Sequence, residues 1–294
     1  MNHPITPRPL LNLACLLLAA WTLATPAPAR AETASTCSGF IDSVPAVIST
    51  QGVWCLRRDV STAQASGAAI VIDANNVTID CNGFKIGGLG AGDNSRTTGI
   101  HAHNRKNAVI RNCNIRGFHS GIDLSGGVGT QDHSSGHLVE DNRVDQSLKT
   151  GIYVHPGKGH VIRRNLVFDT GGATDSVYVM GIYASADVID NTVSGLFPVV
   201  ADGSARGISV LGGGNVVRGN TIHDLGANGA ATPTGILALG RGNLMSDNVV
   251  QLIPAGAGSG IYTNEAYNYC GRNVVGGFAS PIVMCNDAGG NHAY

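Results

Sequence analysis

Charge and aromatic rings are what this sequence has least of. Charged residues fill 13% of its 294 positions and aromatics 5%, with a net charge of −1. No charge excess advertises a broad basic surface for nucleic acid, which argues against that partner. A coiled coil and a charge-rich disordered chain are excluded for the same want of charge. The longest apolar stretch, Leu10 to Ala24, falls short of the ~20 residues a membrane-spanning helix needs, so no span is expected. Apolar residues do not recur at the i, i+3, i+4, i+7 spacing of a helical repeat. No CxxC pair or Cys/His cluster at zinc spacing occurs. Glycine is abundant: there are 41, roughly twice the usual ~7% share, without the every-third-residue period of collagen.

The apolar stretch at Leu10–Ala24 follows Arg8 and leads into Pro26, Pro28 and an Ala-Arg-Ala step ending at Ala31. This layout predicts a cleaved secretory signal over 1–31, hence a secreted or periplasmic protein. Its removal takes away Arg8, Arg30 and Cys15, leaving six cysteines: Cys37, Cys55, Cys81, Cys113, Cys270 and Cys285. An even number in an exported chain points to disulfides, with the pairing left open by sequence.

Internal repetition dominates the rest of the chain. A Gly-Ile step recurs at Gly99, Gly121, Gly151, Gly181, Gly207, Gly235 and Gly260, with gaps of 22 to 30 residues. Between these steps lies Asn-x-(Val/Ile), beginning at Asn142, Asn165, Asn191, Asn220, Asn248 and Asn273. Two places after each isoleucine come Ala102, Leu124, Val154, Ala184, Val210, Ala238 and Thr263, so both columns share one face of a strand. Short strands repeated in this way predict an all-β fold, a parallel β-solenoid of about eight coils stacked at about 4.8 Å. Stacked asparagine amides would satisfy the backbone of the buried turns. Cys81 and Cys113 take the asparagine place in two consecutive coils, which makes them neighbours close enough to bridge.

The segment Val44–Ile86, with VPAVISTQGVWCL and AIVIDANNVTIDCNGFKI, resembles the start of secreted right-handed parallel β-helix proteins of the pectate-lyase-like superfamily. The later Asn-x-Val/Gly-Ile coils resemble the same group, over about residues 37–285. Such proteins include lyases, hydrolases and epimerases of acidic polysaccharides as well as members without known chemistry, so the resemblance implies fold more than activity. Solenoid ends need covers. Residues 32–66 are therefore expected as an N-terminal cap bridged by Cys37–Cys55. The β-helix is expected over 67–294, with a C-terminal cap from about 266 bridged by Cys270–Cys285.

The outward face of the Gly-Ile strands carries the chemistry. One column reads His101, Asp123, Tyr153, Tyr183, Ser209; the next reads His103, Ser125, His155, Ser185, Leu211. Histidine and tyrosine serve as general acids and bases, aspartate can orient a histidine, and tyrosine rings stack on sugars. Arg105, Arg111 and Arg163 lie in neighbouring turns and columns and suit a sugar carboxylate. The expected partner is an anionic polysaccharide, bound by a monomer. In this reading Tyr153 or His155 abstracts the C5 proton of a uronate, and His101, His103 or Tyr183 protonates the leaving oxygen or the opposite face, with Asp123 beside them. Arg105, Arg111, Arg163 and Tyr183 grip the substrate.

Tyr153-Val154-His155-Pro156 is similar to a His-Pro segment of alginate epimerases, though the matching acidic residues are missing, as are Trp-x-Asp-His and Arg-x-Pro-x-x-Arg of pectate lyases. No cofactor is demanded. Calcium is a candidate through Asp123, Asp141 or Asp145, without a calcium-loop pattern. The competing reading is a non-catalytic carbohydrate-binding or envelope solenoid. In that reading the His/Tyr columns are a solvated face, and Arg111, Glu140 and Arg163 form a salt-bridge ladder. Asp132 and His133 lie in a long turn able to close over the groove.

Overall fold

The structure, a computed structural model, describes residues 36–127 and 134–294. The expected signal segment and the pair Asp132 and His133 lie outside the described residues. From Cys37 to Tyr294 the chain is one unit, a parallel β-solenoid of about nine turns against the eight expected. Each turn contributes a strand to each of three columns. The Gly-Ile column includes Thr98–His103, Ser120–Ser125, Thr150–His155, Tyr178–Ala184 and Ser204–Leu211. A second column, from Val109–Arg111 through Leu138–Glu140, His160–Arg163 and Ala186–Ile189, forms an 11-stranded sheet. The third carries Asn-x-(Val/Ile), as in Leu166–Thr170 and Thr192–Leu196. It merges with the first where Val249–Thr263 and Val274–Val283 run through both.

Register follows the repeat. Ile122 pairs with Ile100 and Ile152, and Ile152 with Ile182, so one isoleucine column runs through the core with no exposed surface. Each such side chain stabilises the fold by roughly 1.5–3 kcal/mol relative to exposure. The glycine before each isoleucine is required by a close approach and not by a corner. At Gly151 an added Cβ would lie 2.3 Å from Val167 Cγ1 and 2.7 Å from the Gly181 carbonyl oxygen of the next coil. Real Cβ atoms do not come so near, so the column excludes side chains while its backbone stays in ordinary strand conformation.

The turn before each Asn-x-Val strand pairs a left-handed residue (Asp141, Arg164, Asp190 or Asp247, φ 54–58°) with a buried asparagine. The backbone N–H of each rung donates to the side-chain oxygen of the next: Cys113 to Asn142, Asn142 to Asn165, Asn165 to Asn191, Asn191 to Asn220, at 2.9–3.1 Å. The chain continues through Asn248 and Asn273 to Asn291. A second ladder runs one strand earlier. There Ala108 N–H donates to His137 Nδ1 and His137 N–H to His160 Nδ1, both at 3.1 Å. Farther along, Asn215 and Asn243 donate to Asn243 and Asn268 in the same manner. An imidazole nitrogen thus stands in for the amide oxygen in two coils.

Disulfides join Cys37 to Cys55, Cys81 to Cys113 and Cys270 to Cys285, the middle one between stacked coils. The segment expected as an N-terminal cap itself supplies strands: Ala46–Ile48 pairs with Ala68–Ile72, and Val60–Ser61 with Lys85–Gly87. At the other end, Asn286–Asp287 and His292–Ala293 also add parallel strands. Among the described residues no helix is long and apolar enough to cross a membrane.

Candidate functional site

Parallel register sets the two outward columns side by side. His101, Asp123, Tyr153, Tyr183 and Ser209 are consecutive partners, and His103, Ser125 and His155 align beside them. The Tyr153 and Tyr183 rings stack at 5.1 Å, nearly parallel, and His155 meets the edge of Tyr183 at 5.6 Å. His155 Nδ1 bonds the Ser185 hydroxyl at 2.7 Å. His101 Nδ1 lies 3.8 Å from Asp123 Oδ1, with the His103 ring stacked 6.4 Å away.

Half-burial tunes these groups. Burial lowers the His155 pKa, favouring its neutral ring. Tyr153 is pushed up to about 12 by burial and by its neighbours Tyr183 and Asp123, so its phenol holds its proton. Tyr183 is raised by burial as well, against the pull of Arg206. Burial also raises Asp123, countered by His101, Ser125 and His103; its Oδ1 is buried without a hydrogen-bond partner. The column therefore offers a neutral imidazole as base and two protonated phenols as acids within one stacked cluster.

Residues not singled out from the sequence complete the site. A cleft of about 540 Å³ opens where the Gly-Ile strands begin, lined by His119, Asp123, Lys149, Tyr153, Tyr178, Tyr183 and Arg206. The Arg206 guanidinium sits 3.6 Å over the Tyr178 ring. Asp175, brought in by the loop before Tyr178, lies 3.4 Å from His119 and pairs with Arg96. Burial opposes ionisation of Asp175, yet His119, Arg96 and Lys149 hold its carboxyl below the ordinary range. The sequence signal for this edge was the residue before each Gly-Ile glycine, a column running Thr98, Ser120, Thr150, Met180, Arg206.

Three arginines expected to grip substrate stand elsewhere. Arg111 and Arg163 belong to the 11-stranded sheet, on a different side of the coil, where they pair with Asp80 at 2.8 Å and Glu140 at 2.8 Å. Glu140 also takes Arg164, which reaches Asp141. Arg105 lies in the turn beyond His103 with its guanidinium on Asp73. Among the described residues no group of three or more His, Cys, Asp or Glu side chains converges to hold a metal. Asp123, Asp141 and Asp145 fall in a Gly-Ile strand, a turn and an Asn-x-Val strand respectively.

Comparison with known proteins agrees with the architecture. The sequence profile described as right handed beta helix region matches residues 54–222. No curated protein matches the sequence. Among solved structures, the periplasmic alginate epimerase AlgG is similar over 84% of this chain and 75% of its own, at 13% identity and a TM-score of 0.48. The Dettilon tailspike protein is similar over 85% of this chain and 60% of its own, at 16% identity and a TM-score of 0.44. An alginate lyase from Paenibacillus sp. str. FPU-7 follows over 82% and 88%, at 14% identity and a TM-score of 0.40. With its profile match, parallel register and stacked asparagine turns, the chain belongs to the right-handed β-helix family.

Proposed function

We propose that the His/Tyr/Asp face binds an acidic polysaccharide and acts on it by proton transfer at a uronate, as β-elimination or C5 epimerisation, in a protein exported to an oxidising compartment. The observation that carries this reading is the Tyr153–Tyr183 stack with neutral His155 at its edge, beside a cleft lined by Lys149 and Arg206. His155 is the base, because Tyr153 retains its proton up to about pH 12. Tyr153 and Tyr183 are the acids and the platform for a sugar ring. Lys149 and Arg206 take over carboxylate recognition from the ion-paired arginines. Three disulfides support the oxidising compartment.

The ion pairing of Arg105, Arg111 and Arg163 favours the second reading, a binding protein without chemistry. One experiment separates the two. The mature protein is incubated with pectate and alginate, and unsaturated uronate is followed by absorbance and epimer composition by NMR. Product formation abolished by His155→Ala supports the enzyme. Retention of the unaltered polymer supports the binding protein, and neither result refutes the assignment to polysaccharide.

A further inference from the structure

The far ends of the same strands border a second cleft, of about 530 Å³, lined by the turn His155–His160, by Ser185 and Asp187, and by the glycine turn Gly212–Gly214. At its base lies a rung of the histidine ladder. His160 is 2% exposed, and its Nδ1 accepts the His137 N–H. The ring proton is therefore on Nε2. That Nε2–H is buried and has no acceptor among the described residues.

Other rungs of this ladder satisfy the equivalent position. His137 Nε2 meets the Ser134 hydroxyl at 3.1 Å, Asn243 Nδ2 donates to the Gly212 carbonyl at 3.1 Å, and Asn268 Nδ2 to the Gly240 carbonyl at 2.8 Å. At His160 the donor instead faces Gly157, a lining residue of the cleft, where an added Cβ would lie 2.2 Å from Nε2. Glycine thus keeps the space beside the donor free of a side chain. A buried donor left unpaired in the free protein marks where a ligand oxygen would be most rewarded.

We propose that this cleft is a subsite for a neutral hexopyranose residue, read through its hydroxyls, one of which accepts from His160 Nε2. The lining supplies both halves of the hydrogen bonds a polyhydroxylic ring makes: His160 donates, the Asp187 carboxylate, whose Oδ1 already takes the Val216 N–H, accepts through Oδ2, and the Ser185 hydroxyl, bonded to His155, keeps a lone pair. A carboxylate in the same place would face Asp187 as well as the one lysine of the lining, Lys158. Because His155 lines this cleft and its ring meets the edge of Tyr183, which lines the first, the inference rests on the polysaccharide reading above and sharpens it. The substrate is a mixed polymer in which a neutral hexose adjoins the uronate, crossing the strands at His155.

Binding of gellan oligosaccharides, whose repeat places glucose beside glucuronate, and of oligoalginate, which is all uronate, is measured by calorimetry on the full mature protein. Two variants test the cleft. His160→Asn keeps the ladder acceptor, as the asparagine rungs do, and replaces the Nε2–H by a shorter amide that bonds a backbone carbonyl, as Asn243 Nδ2 does with Gly212. Leu211→Trp, at a half-exposed lining position, fills the cleft without touching the ladder, and so keeps the test open should His160→Asn fail to fold. The expected result is gellan binding about tenfold tighter than oligoalginate in the wild type, with each variant losing about five- to tenfold for gellan and little for oligoalginate. Equal wild-type affinity for both, or variants that leave gellan binding unchanged, overturns the subsite while the polysaccharide reading stands. A wild type that binds neither polymer overturns both.

Discussion

Replacing Asn191 by alanine removes one rung from the middle of the main ladder. The side chain is 1% exposed; its Oδ1 accepts from both the backbone and the side chain of Asn165, and its Nδ2 donates to the carbonyls of Ile162 and Ile189 and to Asn220 Oδ1. Asn165 Nδ2 keeps its bonds to Val139 and Arg163, so it is not orphaned. The Asn165 N–H is left without this acceptor and the Ile162 carbonyl without this donor, at about 1–3 kcal/mol each. A small void adds to this, giving about 3–5 kcal/mol and a Tm lowered by about 10 °C for a chain of this size. The terminal rung calibrates the figure. Asn291 is only partly buried, so Asn291→Ala should cost about 1 kcal/mol. Thermal and urea unfolding followed by far-UV circular dichroism, disulfides intact, measures both. Equal losses at the two positions, or less than 1 kcal/mol at Asn191, would falsify the view that the amides hold the coils together by satisfying buried backbone.

Four further outcomes are expected. Burial lowers the pKa of His137 to about 3 and of His160 to about 4, with like-charge coupling to His160 and His155 adding to it. Their neutral forms therefore support the fold fully above about pH 6.5, and stability falls by up to about 1.4 kcal/mol per pH unit per histidine below it; urea midpoints at pH 7 and pH 5 should differ, and a His137→Asn/His160→Asn double variant should flatten the difference. Cys81→Ser opens a bridge spanning 32 residues and should lower stability by about 3–4 kcal/mol, read as a shift in the denaturation midpoint. Gly151→Ala drives a Cβ into Val167 and the next strand, and should cost at least 1–3 kcal/mol or abolish soluble expression. Tyr153→Phe should reduce turnover of polyuronate at least a hundredfold with the circular dichroism spectrum unchanged; full activity would remove the phenol from the chemistry.

The Gly-Ile and Asn-x-Val columns were legible because a parallel solenoid repeats each environment once per coil, so a requirement for space is written down seven times and one for an amide six times. The physical reason for the glycines was not, since a clash with Val167 and Gly181 exists only between coils. The second ladder escaped notice because Ala108, His137, His160, Ala186 and Asn215 share no residue type; what they share is a backbone position, and a histidine nitrogen can accept where an amide oxygen does. Sequence also could not assign Arg111 and Arg163 to a side of the coil, because two strand columns alternate in the same way. Asp175 reaches His119 and Arg96 only through a loop whose path no repeat dictates.

Every backbone N–H bond of the main ladder points one way: each coil lends a backbone hydrogen and the coil after it supplies the oxygen, from Cys113 through to Asn291. A coil that leaves the ribosome ahead of its successor is therefore unfinished until that successor arrives. The seam it offers is the same at every boundary, so a gene that duplicates or deletes one coil creates no new mismatch at the join. Length is consequently the freest parameter of this architecture, and the reach of its surface along a polymer can change by whole coils while the chemistry on any one of them is kept.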